Sequence, residues 1–218
     1  MAEKIVLEDY TRFSQSRLWS LQREFYAKSG ISAWTGEVPY YVTSNPFIAN
    51  AYSNIIIAFM SDWVIQHPEA KREPFYILEL GTGPGQFSFY LLKRLCELYD
   101  ELGIEGLSFR YVMSDFTESN VEFWQSHHAL KPFIEKGLLD FAVFNLEQDD
   151  SLTLLREERT ITAGDLNNPL IVLANYIFDS ITNDVFTVSN GQLKESLLQL
   201  STSSDNLEDG LISDLEKI

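Results

Sequence analysis

Apolar positions recur along this chain in two rhythms, and each change of rhythm marks an element. Between residues 9 and 28, Tyr10, Phe13, Leu18, Leu21, Phe25 and Tyr26 fall at roughly helical spacing, with Gly30 as the stop. The stretch ISAWTGEVPYYVTS (31–44) breaks that rhythm with Gly36, Pro39 and several aromatics, which predicts a packed loop or a short extended piece. Asn45-Pro46 then reads as an N-cap followed by proline at the first helical position. Phe47, Ala51, Ile55, Ala58, Phe59 and Trp63 carry a second helix to about His67, closed by Pro68.

From Phe75 the rhythm changes. FYILEL (75–80) is a short apolar run of strand formers, as expected of a strand buried on both faces of a parallel sheet. Gly81-Thr82-Gly83-Pro84-Gly85 follows as a tight turn, and Phe87, Tyr90, Leu91, Leu95 and Leu98 then resume helical spacing. Further strands are predicted at 107–113, 138–144 and 169–174, and a helix at 118–128. Residues 148–168 read as a loop plus a solvated helix. A hairpin of 185–188 with 193–200 turns on Asn190-Gly191. Strands alternating with helices define an α/β chain with a Rossmann-like, doubly wound sheet.

The chemistry concentrates at the glycine turn. Strand, turn and helix in that order present free backbone N–H groups and the positive end of a helix dipole at the carboxyl edge of a sheet. The spacing Glu79-x-Gly81-x-Gly83-x-Gly85 differs from the dinucleotide fingerprint, which disfavours a dehydrogenase, and no Lys-Ser or Lys-Thr makes it a phosphate loop. Asp115, just past the second strand, suits bidentate acceptance of two ribose hydroxyls, or capping of the helix that follows.

The E-x-G-x-G-x-G turn resembles motif I of class I S-adenosylmethionine (SAM) dependent methyltransferases. The run LANYIFDSI (173–181) resembles a segment of the MidA-like members, which methylate an arginine; Asn175 and Asp179 match, whereas Tyr176 stands for a glutamate and the proline expected near Thr182 is missing. The resemblance covers about residues 75–200 and implies SAM as cofactor. It places Glu79, Gly81, Thr82, Gly83, Pro84, Gly85, Asp115 and Phe116 against the cofactor. It also places Asn145 and Leu146 beside the adenine, and Asn175 as the group orienting the methyl acceptor. The N-terminal aromatics Trp34, Tyr40 and Tyr41, with Thr43, become a lid or acceptor wall. Residues 1–70 are thus expected to be a helical extension, 71–200 the SAM-binding domain, and 201–218 an acidic tail or the start of an insertion. A complete fold of this family continues beyond the strands placed here, so the chain is either an N-terminal portion or an abbreviated form. The acceptor, a protein side chain or a small molecule, is not legible, nor is the oligomeric state; a non-catalytic SAM-binding or assembly module is the second reading.

Composition narrows the partners. With 45% hydrophobic residues the chain can bury a core, and a formal charge of −16 disfavours nucleic acid. No unbroken apolar run reaches the roughly eighteen residues of a membrane span, and the N-terminus lacks a signal-peptide layout, so a cytoplasmic protein without membrane association is expected. Cys96 reads as a buried structural thiol, and His127 and His128 have no partners at metal-ligand spacing.

Overall fold

The computed structural model describes residues 4–34, 40–103 and 106–203. In chain order the elements are β1 (Lys4–Arg12), α1 (Leu18–Ser29), α2 (Pro46–Gln66), β2 (Phe75–Glu79), α3 (Gln86–Leu102), β3 (Phe109–Asp115), α4 (Glu118–Ser126), α5 (Lys131–Glu135), β4 (Leu139–Val143), β5 (Leu152–Leu154), β6 (Arg159–Ile161), β7 (Ile171–Leu173), β8 (Val185–Ser189) and β9 (Gln192–Ser203). The chain divides into two units, Met1–Glu24 with Asp179–Ile218, and Phe25–Phe178. These boundaries differ from positions 70 and 200.

The first unit is built on an antiparallel sheet in the order β1-β9-β8. Residues 9–17 are therefore not α-helical: β1 runs to Arg12 and pairs with β9 from Lys4↔Ser203 to Arg12↔Leu197, and Phe13–Gln15 form one 3-10 turn. That long-range ladder overrides the helical spacing of Tyr10 and Phe13, as tertiary pairing commonly does. The helix begins only at Leu18, after Glu8 accepts from Ser16 Oγ (2.6 Å) and Arg17 N (3.0 Å). The β8–β9 turn has Asn190 at φ 51° and Gly191 at φ 73°, the left-handed pair that a two-residue hairpin demands. Of the expected acidic tail, residues 204–218 lie outside the described part.

The second unit holds a four-stranded parallel sheet in the order β4-β3-β2-β7. Taken in chain order its strands run 3-2-1-4, the arrangement of a Rossmann-like half-sheet. Phe75 and Ile77 of β2 face a core shared with α2, α3, α4 and α5, while Tyr76 and Leu78 face the other way. Asn45 Oδ1 caps α2 by accepting from Ile48 N at 3.0 Å, with Pro46 at its start. α2 is long and apolar enough to cross a membrane by length and composition alone. Its Ile56, Ile57, Met60 and Val64 are nonetheless built into the core against α3.

The opposite face is covered by the β5–β6 hairpin, where the sequence predicted a loop and a solvated helix. Leu152, Leu154 and Ile161 are buried at alternating positions and pack on Tyr76, Leu78 and Val112. The organising group is Asp140, fully buried in β4. Its Oδ1 accepts from Phe141 N (2.7 Å) and Arg156 N (2.9 Å), and its Oδ2 from Glu157 N (3.0 Å). Arg110 and Tyr76 then hold Glu157 at 2.6 and 3.0 Å. Asp140→Ala leaves the hairpin's turn amides without their acceptor; we expect it to cost about 2 kcal/mol, read as a lower urea midpoint with unchanged slope.

Candidate functional site

In this strand order the sequence of connections reverses between β2 and β7, and open α/β sheets bind ligands at the carboxyl edge beside such a reversal. Glu79 ends β2 there, Asp115 ends β3, Asn145 follows β4 and Asn175 follows β7. The glycine turn lies among them. Leu80 N donates to Leu173 O and Thr82 N to Ser114 O, both at 2.9 Å, so the turn is stitched to both neighbouring strands. Gly81, Gly83 and Gly85 all have positive φ (60°, 59° and 75°), the region where glycine carries no steric penalty.

Beneath the turn, Glu79 is 4% exposed. Its Oε2 accepts from Thr82 Oγ1 (3.2 Å), from Tyr111 Oη (2.8 Å) and, at closer range, from Ser88 Oγ. Burial pushes its carboxyl up to about 7, while the three hydroxyls pull it back; the same burial raises the Tyr111 phenol well above its ordinary value. Glu79 is thus an internal brace joining β2, the turn, α3 and β3. Ser88 and Tyr111 were not anticipated; the available signal was a serine on the buried face of α3.

Asp115, at 7% exposure, reaches back to the turn: its Oδ2 accepts from Gly83 N (3.3 Å) and its Oδ1 from Thr117 N (2.9 Å). Burial raises its pKa, offset by these donors and by the side chains of Asn120 and Thr117. Asp115 thus ties the glycine turn to the chain before α4; it does not cap that helix, whose N-cap is Thr117 without a side-chain cap hydrogen bond. Phe116 beside it is 38% exposed. Trp124 Nε1 donates to Gly83 O at 3.0 Å, closing the turn from the α4 side.

The remaining candidates are distributed unevenly. The Trp34 ring, stacked on Tyr26, lies over the turn, and a Cβ on Gly83 would come within 2.8 Å of it. Ile177 covers Gly81 in the same way, at 2.7 Å. Tyr41 points largely into solvent, and the side chain of Tyr40 lies outside the described part, as do residues 35–39. Asn145 Oδ1 accepts from Glu147 N (3.0 Å) and the Asn145 N–H donates to Asp149 (2.7 Å), so the expected adenine contact is engaged in a local turn; Leu146 is partly exposed beside it. Asn175 Oδ1 accepts from Tyr52 Oη of α2 at 3.0 Å, and its buried Nδ2 has no hydrogen-bond partner. Tyr176 follows at φ 51°, a strained conformation for a bulky residue. Among the described residues no group of His, Cys, Asp and Glu is arranged to hold a metal ion.

The space over the turn's glycines is thus filled by the chain's own side chains, Trp34 at Gly83 and Ile177 at Gly81, and the buried carboxylate of Asp115 stands at the second strand tip. Fold and site therefore define a Rossmann-like α/β unit with a glycine turn at its switch point. No family profile and no curated protein matches the chain. A crystal structure of an uncharacterized protein from Burkholderia thailandensis matches over 93% of this chain at 14% identity and a TM-score of 0.41. The chain spans 46% of that protein's length, and a likeness this slight carries no argument about function.

Proposed function

We propose that the Phe25–Phe178 unit binds SAM, and that the chain is a class I methyltransferase acting on a protein side chain or a small molecule. The carrying observation is the joining of the glycine turn to Asp115, through Gly83 N, at the switch point of a 3-2-1-4 sheet. When bound, SAM supplies a methyl group already activated on a sulfonium. In this reading Ile177 and Trp34, which cover Gly81 and Gly83, swing aside to admit the cofactor against the backbone, with Glu79, Thr82, Pro84 and Gly85 holding the turn in shape. Asp115 accepts the ribose hydroxyls, and Phe116 and Leu146 offer apolar surface to the adenine. Asn175, steadied by Tyr52, orients the acceptor beside Trp34 and Tyr41, so the chain contributes positioning rather than bond-breaking groups. The finer placements of a doubly wound class I arrangement and of the cytoplasm as compartment belong to the same proposal.

A second reading, a SAM-binding module without turnover, draws on one feature. Tyr176 stands in a strained conformation where the MidA-like pattern has a carboxylate, the natural partner of a guanidinium.

Calorimetric titration of S-adenosylhomocysteine tests the binding claim. Asp115→Ala is expected to weaken binding at least about tenfold, because hydrogen bonds to a charged group are lost. Equal affinity in parent and a folded variant would refute the seat. Transfer of labelled methyl from SAM into lysate separates the two readings: binding with transfer supports the enzyme, and binding without it the module.

A further inference from the structure

α2 is apolar on two faces, and the core uses only one of them. Ile56, Ile57, Met60 and Val64 enter the core. On the opposite side Phe47, Ile55 and Ile65 are 79%, 67% and 76% exposed, with Ala58 exposed and Ala51 half-buried between them. Asp62 is the only charged residue in the helix. α3, packed beside it, shows the ordinary alternative: its solvent side carries Lys93, Glu97, Asp100 and Glu101. A helix that is apolar all round is one that is covered on all sides.

The spacing on the outer face fits one kind of cover. Ala51, Ile55, Ala58, Asp62 and Ile65 follow one another at steps of four, three, four and three, the repeat of a coiled-coil seam. Laid antiparallel across a two-fold axis, this seam is complementary to itself. Ile55 meets Ala58 of the second copy and Ala51 meets the second copy's Asp62, a larger side chain against a small one each time. Parallel pairing would set the two Asp62 carboxylates side by side, whereas antiparallel pairing holds them about 16 Å apart, beyond the screening length of ~8 Å. A membrane is the poorer cover: α2 has no Lys or Arg to seat on anionic lipid, and the net charge of −16 opposes the approach. A face roughly 31 Å long and 10 Å wide makes an interface at the small end of specific ones, under about 1,200 Å² in total, so the association is reversible.

We propose that the outer face of α2 is a self-association surface, pairing with α2 of a second copy of this chain in antiparallel fashion about a two-fold axis. The pairing does not depend on the methyltransferase reading, since none of the seam residues belongs to the proposed cofactor seat.

Sedimentation velocity of the full chain, at concentrations reaching about 0.5 mM, is expected to show a monomer–dimer equilibrium. Ile55→Glu puts a charge into the seam of each copy and is expected to raise the dissociation constant at least about tenfold. Phe47→Glu is the second variant, and both positions are exposed, so the fold of the monomer is spared. Orientation is read by cross-linking in a Cys96→Ser background: Ala51→Cys combined with Asp62→Cys is expected to form a disulfide between copies, and neither substitution alone. A chain that stays monomeric throughout, with or without binding to phosphatidylcholine vesicles, would overturn the proposal. Undiminished dimerisation in both folded glutamate variants, or cross-linking by either cysteine alone, would do the same.

Discussion

Replacing Glu79 by alanine is expected to destabilise the Phe25–Phe178 unit by about 4 kcal/mol, among the larger effects open to a single substitution. Three hydroxyls, on Thr82, Ser88 and Tyr111, converge on this carboxyl and would be left without their common acceptor in a buried site. The conservative variant separates packing from charge. Glu79 has its carboxyl pushed from 4.5 up to about 7 by burial, so the folded state binds the proton more tightly than the unfolded state. Stability from this group is therefore fully present below about pH 4.5 and is lost as pH rises through about 7, a loss of about 3 kcal/mol. Asp115 is raised in the same direction and adds a decline of the same sign. Glu79→Gln keeps the shape without the titration. Urea unfolding at pH 5 and pH 8 should show the parent losing stability between them and the glutamine variant losing less. If both decline equally, Glu79 is not the titrating group.

Gly85→Val is expected to cost about 3 kcal/mol, combining left-handed backbone strain with overpacking. Gly85 sits at φ 75° at the start of α3, and a Cβ there would lie 2.9 Å from Met113 Cε and 3.2 Å from the Trp124 ring. Both neighbours are themselves fully buried, so neither can swing aside into solvent. Gly103, at the other end of α3, is the matched control: its φ is 55° but nothing lies within 4 Å of a Cβ. Gly103→Ala should therefore cost only the strain, about 1 kcal/mol. Thermal melts of both variants decide it; equal costs would mean that crowding by Met113 and Trp124 contributes nothing at Gly85.

The brace under the turn shows why the site was only partly legible beforehand. The acid, the glycines and the helix after them lie within one short stretch, and their spacing alone announces a strand, a turn and a helix start. The partners of that acid do not: Ser88 lies nine residues away and Tyr111 thirty-two. Tyr52 meets Asn175 across 123 positions.

What the sequence determined unaided were the elements whose evidence is local: the buried β2, the glycine turn, α2 with its Asn45 cap, α3, and the Asn190-Gly191 hairpin. In each, residues a few positions apart set backbone angles or a single buried face. Only the tertiary structure decided that β1 joins β9 instead of extending a helix, that residues 152–161 form a hairpin tied to Asp140, and that β7 lies beside β2. Those outcomes depend on hydrogen-bond ladders and buried carboxylates whose two halves are far apart in the chain, and periodicity within one segment carries no record of the other.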